Sequence, residues 1–147
     1  MNTEEETEKL LDEIYWVIDP LPRQVPPDSE GQYFAVEREW LKTPHNTALR
    51  RRFLAILLKL NCYFDLAAQC LNRGGYVLNP APETLGKWVL DGANSLTILF
   101  PLQHSLFTLY SGDACMAVHA PSDDLLELLR CLVPSEGMFL WQPPQAR

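Results

Sequence analysis

Phosphate-binding loops, paired cysteines and long apolar runs are all missing from this sequence. No G-x-x-x-x-G-K-[ST], G-x-G-x-x-G or G-x-S-x-G occurs, which removes the usual nucleotide and serine-hydrolase signatures. H-E-x-x-H is absent as well, and His45, His104 and His119 stand singly. None of Cys62, Cys70, Cys115 and Cys131 forms a C-x-x-C pair, so zinc-site spacing is lacking. Each cysteine reads instead as a small buried hydrophobe, and no metal or cofactor is expected. Basic residues are scarce: 12 Lys and Arg face 19 Asp and Glu, for a formal charge of −7. A nucleic-acid binder needs clustered cations for its phosphate contacts, so that class is not expected. Apolar runs such as Phe53 to Leu58 fall far short of the roughly 20 residues of a membrane helix. The acidic segment Met1 to Glu8 is unlike a signal peptide, and the expectation is a cytoplasmic protein with no membrane partner.

What remains is a chain of 147 residues, 47% hydrophobic, which fits a single domain over residues 1–147. Thr3 and Glu6 have capping-box spacing, and Leu10, Leu11 and Ile14 form an apolar stripe, so residues 4–14 read as a short helix. Tyr15 to Ile18 is rich in aromatic and β-branched types and reads as a strand. Residues 20–32 hold four prolines and a glycine and read as a connection without regular structure. Residues 33–42 fit either period, with the balance toward helix.

Leu49, Phe53, Ile56, Leu57, Leu60 and Phe64 recur at helical spacing and predict a central buried helix. Asn46 is its expected N-cap, and the helix is expected to continue through Leu66 and Leu71 toward Gly74. A short helix is predicted from Pro82 to Leu90. Three short strands follow, at residues 95–100, 105–110 and 114–119, predicting an antiparallel meander. Ser122 caps a last helix with Leu125, Leu128, Leu129 and Leu132 inward, stopped at Pro134, and residues 138–141 offer a final strand. The fold class is α+β, an antiparallel three- to four-stranded meander packed against several helices.

Charge is segregated along the chain. Residues 1–40 carry −8, residues 41–87 carry +5, and residues 88–147 carry −4. The positive middle contains Arg50-Arg51-Arg52, read first as pairing with Glu37, Glu39 or the N-terminal glutamates, and alternatively as a site for an anionic partner. A run of three covers most of the helix circumference, so at least one of these arginines is expected against packed surface. Acidic loops suit a basic partner, because complementary charge speeds encounter. Asp28 and Glu30 in the proline-rich segment and Asp113 at a hairpin tip have no helix-capping duty, and they are the candidate partner-binding residues. Of the four tryptophans, at most one is assigned to an interface. Ser111-Gly112-Asp113 and His119 are types that a hydrolytic site would use with a cysteine, but hairpin turns use the same residues, so no enzyme is expected.

Two stretches, Tyr15-Trp16-Val17-Ile18-Asp19-Pro20-Leu21-Pro22 and the meander from Leu96 to His119, prompt a resemblance in type. In size, acidity and α+β character the chain resembles the small immunity proteins of bacterial toxin systems such as contact-dependent growth inhibition. That resemblance implies a non-enzymatic protein that binds and neutralises a cognate toxin, here a basic toxin domain. It transfers no residue role, because no fixed motif accompanies it. In size and pI the chain also resembles acidic type III secretion chaperones, which would make it a chaperone or adaptor. An enzyme with an unrecognised site is the third alternative.

Overall fold

The computed structural model describes residues 2–144; Met1 and the last three residues of the tail lie outside that range. Its elements run α1 (Thr3–Leu11), β1 (Tyr15–Asp19), α2 (Tyr33–Trp40), α3 (His45–Asn61), β2 (Ala67–Cys70), β3 (Val77–Leu78), α4 (Pro82–Leu90), β4 (Leu96–Phe100), a 3-10 turn (Pro101–Gln103), β5 (Ser105–Leu109), β6 (Met116–His119), α5 (Asp123–Ser135) and β7 (Phe139–Trp141). The strands form one open antiparallel sheet in the order β3-β2-β4-β5-β6-β1-β7. The expected meander is its centre, β4-β5-β6, but the sheet has seven strands rather than three or four. No helix among the described residues is long and apolar enough to cross a membrane.

Period-two alternation assigns the side chains to two faces. Ile18, Ala68, Leu96, Ile98, Phe100, Phe107, Leu109, Met116 and Val118 point to one face and join the main core. Phe53, Ile56, Leu57 and Leu60 from α3, Leu85 and Val89 from α4, and Leu125, Leu129 and Val133 from α5 close over them. Burial of this kind stabilises by about 1.5–3 kcal/mol per large apolar side chain. The α5 helix starts as its sequence predicts: Ser122 Oγ accepts from the Leu125 amide at 3.2 Å, and two aspartates occupy the first turn. It runs one residue past Pro134, and Lys59 Nζ at the end of α3 meets Glu136 Oε2 just beyond it at 2.8 Å.

Several local expectations give way. The α1 helix is capped by Asn2, whose Oδ1 accepts from the Glu5 amide at 2.8 Å, and it ends at Leu11 rather than residue 14. Asn46 is a buried first-turn residue of α3, not its cap. It packs against Gly92, where an added Cβ would meet the Asn46 Oδ1 and force that side chain to move. The α3 helix stops at Asn61, and residues 67–70, expected as its continuation, form β2 against β4. Ala-Ala-Gln-Cys has little strand propensity of its own; the ladder to Leu96–Leu99 decides its state. The uniform reading of the cysteines also fails, since Cys62 and Cys131 are exposed, Cys115 is half-buried and Cys70 alone is fully enclosed.

Candidate site on the open face of the sheet

The second face is covered at one end only. There Leu10 of α1 packs on Ala67, Leu99 and Leu106, and Tyr76 donates to Thr97 Oγ1 at 2.9 Å. Toward β6, β1 and β7 the face opens into a cleft of about 470 Å³. Strand register explains the hollow. Val17 stands opposite Ala117, and Ala117 opposite Thr108, so the floor is a row of short side chains. One step along the strands in one direction stand Tyr15 and His119, their ring centroids 5.3 Å apart. In the other direction lie Asp19, Cys115 and Tyr110, with Asp113 at the hairpin tip. Trp141 on β7 closes one side, opposite Val17 in the ladder, and donates its indole N–H to the Leu21 carbonyl at 3.0 Å. Leu21, Gln24 and Val25 of the proline-rich segment and Tyr33 of α2 complete the rim.

The electrostatics of this cleft are one-sided. No lysine or arginine lines it. Burial pushes the Asp19 carboxyl up to about 6; the Trp141 indole and the Leu21 backbone oppose the rise, and Glu37 adds to it. Burial also raises Asp113, helped by Glu37 and opposed by Arg50. The Cys115 thiol is driven up to about 12 by burial and then by Asp19, Asp113 and Glu37, so it is protonated at neutral pH. Tyr33 is raised too, by burial and by Glu37, to which its hydroxyl donates at 2.8 Å. His119 is 8% exposed and pushed toward its neutral form by burial, against the Glu13 backbone; its Nδ1 has no hydrogen-bond partner.

A cysteine, a histidine and two aspartates thus share a cleft, yet they are not arranged as a nucleophile and its base. Cys115 and His119 are four residues apart along extended chain, a Cα separation of roughly 13 Å, well beyond hydrogen-bond reach. A thiol surrounded by carboxylates is also the reverse of the electropositive setting that yields a thiolate. Among the described residues no three His, Cys, Asp or Glu side chains are placed to hold a metal ion.

Of the residues singled out from sequence, Asp113 lines the cleft from an exposed hairpin tip, and Asp28 and Glu30 are exposed on the segment that also supplies its rim. The arginine run divides. Arg50 is 1% exposed and donates to four main-chain carbonyls: Val89 and Asp91 at 3.0 Å, Asn94 at 2.9 Å and Tyr110 at 3.4 Å. Its guanidinium fastens the turn after α4 to the end of β5, so it cannot belong to an exposed anionic-partner site. Arg51 and Arg52 are exposed, and among the described residues none of the three pairs with a carboxylate, contrary to expectation. Trp16, Trp40 and Trp88 pack on the main core, and Trp141 lines the cleft. Sequence reasoning missed Asp19, Tyr33, Cys115 and Trp141 as one group, because they meet only through strand order.

Compared with known proteins, the chain matches no family, no curated protein and no solved structure.

Proposed function

We propose that this chain is a non-enzymatic protein-binding domain that neutralises a basic toxin domain, in the manner of bacterial immunity proteins. One observation carries the reading: the open face holds a cleft with Asp19 and Asp113 in its lining and no lysine or arginine among the lining residues, the buried Arg50 acting on Asp113 from outside it. Folding alone gains nothing from Asp19, a half-buried carboxylate whose charged form is disfavoured by burial, with no cation in the lining to offset the cost. A basic partner would supply the missing charge. Exposed Asp28 and Glu30 on the adjoining segment extend the same sign outward, where charge governs encounter rate. The prolines around them limit the entropy lost on binding.

The test is reconstitution. A partner captured from the native host is purified separately, and association is followed at low and high salt alongside the partner's own activity. The expected result is a complex whose association slows as salt rises and in which that activity is lost. A partner that keeps full activity in the complex overturns neutralisation, and a rate indifferent to salt overturns the basic-partner assignment.

A further inference from the structure

We infer that the open-face cleft receives an arginine side chain presented by the basic partner. This rests on the reading above and adds the chemical group that the cleft selects. Two features favour a guanidinium, and a third favours the peptide that carries it. Tyr15, Tyr33, Tyr110 and Trp141 line the cleft, and a planar, weakly hydrated cation gains from aromatic faces. Asp19 and Asp113 come from different strands and loops, so acceptors approach from more than one side, which suits a donor fork better than a point charge. The third feature is independent of the acidic groups. His119, more than nine-tenths buried in the lining, keeps an unpartnered Nδ1. A neutral imidazole has one lone pair to offer, and an N–H donor is what it lacks.

Size points to a peptide rather than a free small cation. A volume of about 470 Å³ exceeds one side chain and leaves room for the main chain that carries it. The guanidinium belongs at the Asp19 and Asp113 end. The flanking peptide N–H groups belong toward Tyr15 and His119. Free arginine would bring its own carboxylate into a cleft that already holds two.

The experiment is a titration of the full chain with Nα-acetyl-arginine N-methylamide, followed by amide and indole shifts in NMR. The citrulline counterpart serves as neutral isostere, and the lysine counterpart and free L-arginine serve as comparisons. The expected affinity for the blocked arginine is about millimolar, as suits a ligand of so few atoms. Shifts should centre on Val17, Ala117 and the Trp141 indole. Citrulline should bind at least tenfold more weakly, with lysine and free arginine in between. The pair Asp19→Asn and Asp113→Asn should cost at least tenfold, while Asp124→Asn on α5 should cost nothing.

Equal binding of citrulline and arginine would overturn the proposal, as would shifts scattered over the surface or indifference to the double variant. Tighter binding of free arginine than of the blocked form would make the occupant a metabolite and overturn the partner assignment. Failure here is separable from failure of the broader reading. If the arginine probe misses the cleft while charge reversal at Asp28 and Glu30 still slows partner association, only the cleft assignment falls. If the probe fills the cleft but the partner keeps its activity in the complex, neutralisation falls and the arginine site stands.

Discussion

The two faces of the sheet are made from the same strands, residue by residue in alternation, yet they solve opposite problems. On the helix-covered face Ile98, Phe107, Met116 and Val118 are fully enclosed, and Arg50, the one buried cation there among the described residues, makes four donor contacts to main-chain carbonyls, with only its Nε left unpartnered. On the open face Asp19 is drawn partly out of water with the Trp141 indole and the Leu21 backbone but no cation to offset the cost, and His119 keeps an unpartnered Nδ1. A buried polar group with its bonds made is a fastening, and one without them is a standing cost. On the proposed reading, stability resides in one face and recognition in the other.

Substitutions in the two faces should separate accordingly. The largest effect is expected from Leu57→Asp, which places a charge at a position that is 0% exposed under α3. The loss of several kcal/mol against a total of about 5–15 should unfold the domain, as far-UV circular dichroism would report. Next comes Arg50→Ala, which strips donors from the Val89, Asp91 and Asn94 carbonyls and should cost about 3 kcal/mol or more in urea melts. Arg51→Ala and Arg52→Ala, at exposed positions, should stay within about 0.5 kcal/mol of the parent. Equal effects at all three arginines would erase the distinction between buried fastening and exposed run.

Asp19→Asn should act in the other direction. With a folded pKa near 6 against 3.8 for the free side chain, the native state keeps a proton that the unfolded chain has already released. Stability is therefore lost as pH rises from about 4 to about 6, and the full cost persists above that range. Asparagine removes the cost: the variant should be more stable at pH 8 by about 1 kcal/mol, after discounting for partial exposure, and unchanged at pH 4. A destabilised variant at pH 8 would make Asp19 a structural residue. The smallest effect on folding is expected from joint charge reversal at Asp28, Glu30 and Asp113, which should move the melting temperature by only a few degrees. The same variant should slow association with the basic partner and flatten its salt dependence in stopped-flow traces.

The helix-covered face was largely legible in the sequence, because its signals are local. The apolar stripe of α3, the Ser122 cap of α5 and the alternation of β4, β5 and β6 each lie within one short window. Even Arg50 carries a local mark, three residues before Phe53 and four before Leu54, on the buried side of the helix. The open face was mostly hidden. Its lining comes from residues 11–33, 108–119 and 141–143, joined by pairings of β1 with β6 and β7 that no window contains. Asp113 was recognised for its turn position, not for its neighbours. β2 looks like a continuation of α3 in sequence because its residues have little strand propensity and its partner strand lies about 30 residues away.

The pairing of β1 also imposes an order in time. Tyr15–Asp19 leaves the ribosome early, but the strands that flank it, Met116–His119 and Phe139–Trp141, follow about a hundred residues later. At about 5–20 residues per second that is a wait of roughly 5–20 s. Throughout it Asp19 stands in water as an ordinary carboxylate, with neither Cys115 nor Trp141 yet made. The hollow over Val17 and Ala117 comes into being only when translation has passed residue 141, so a partner that reads it distinguishes a finished molecule from a nascent one.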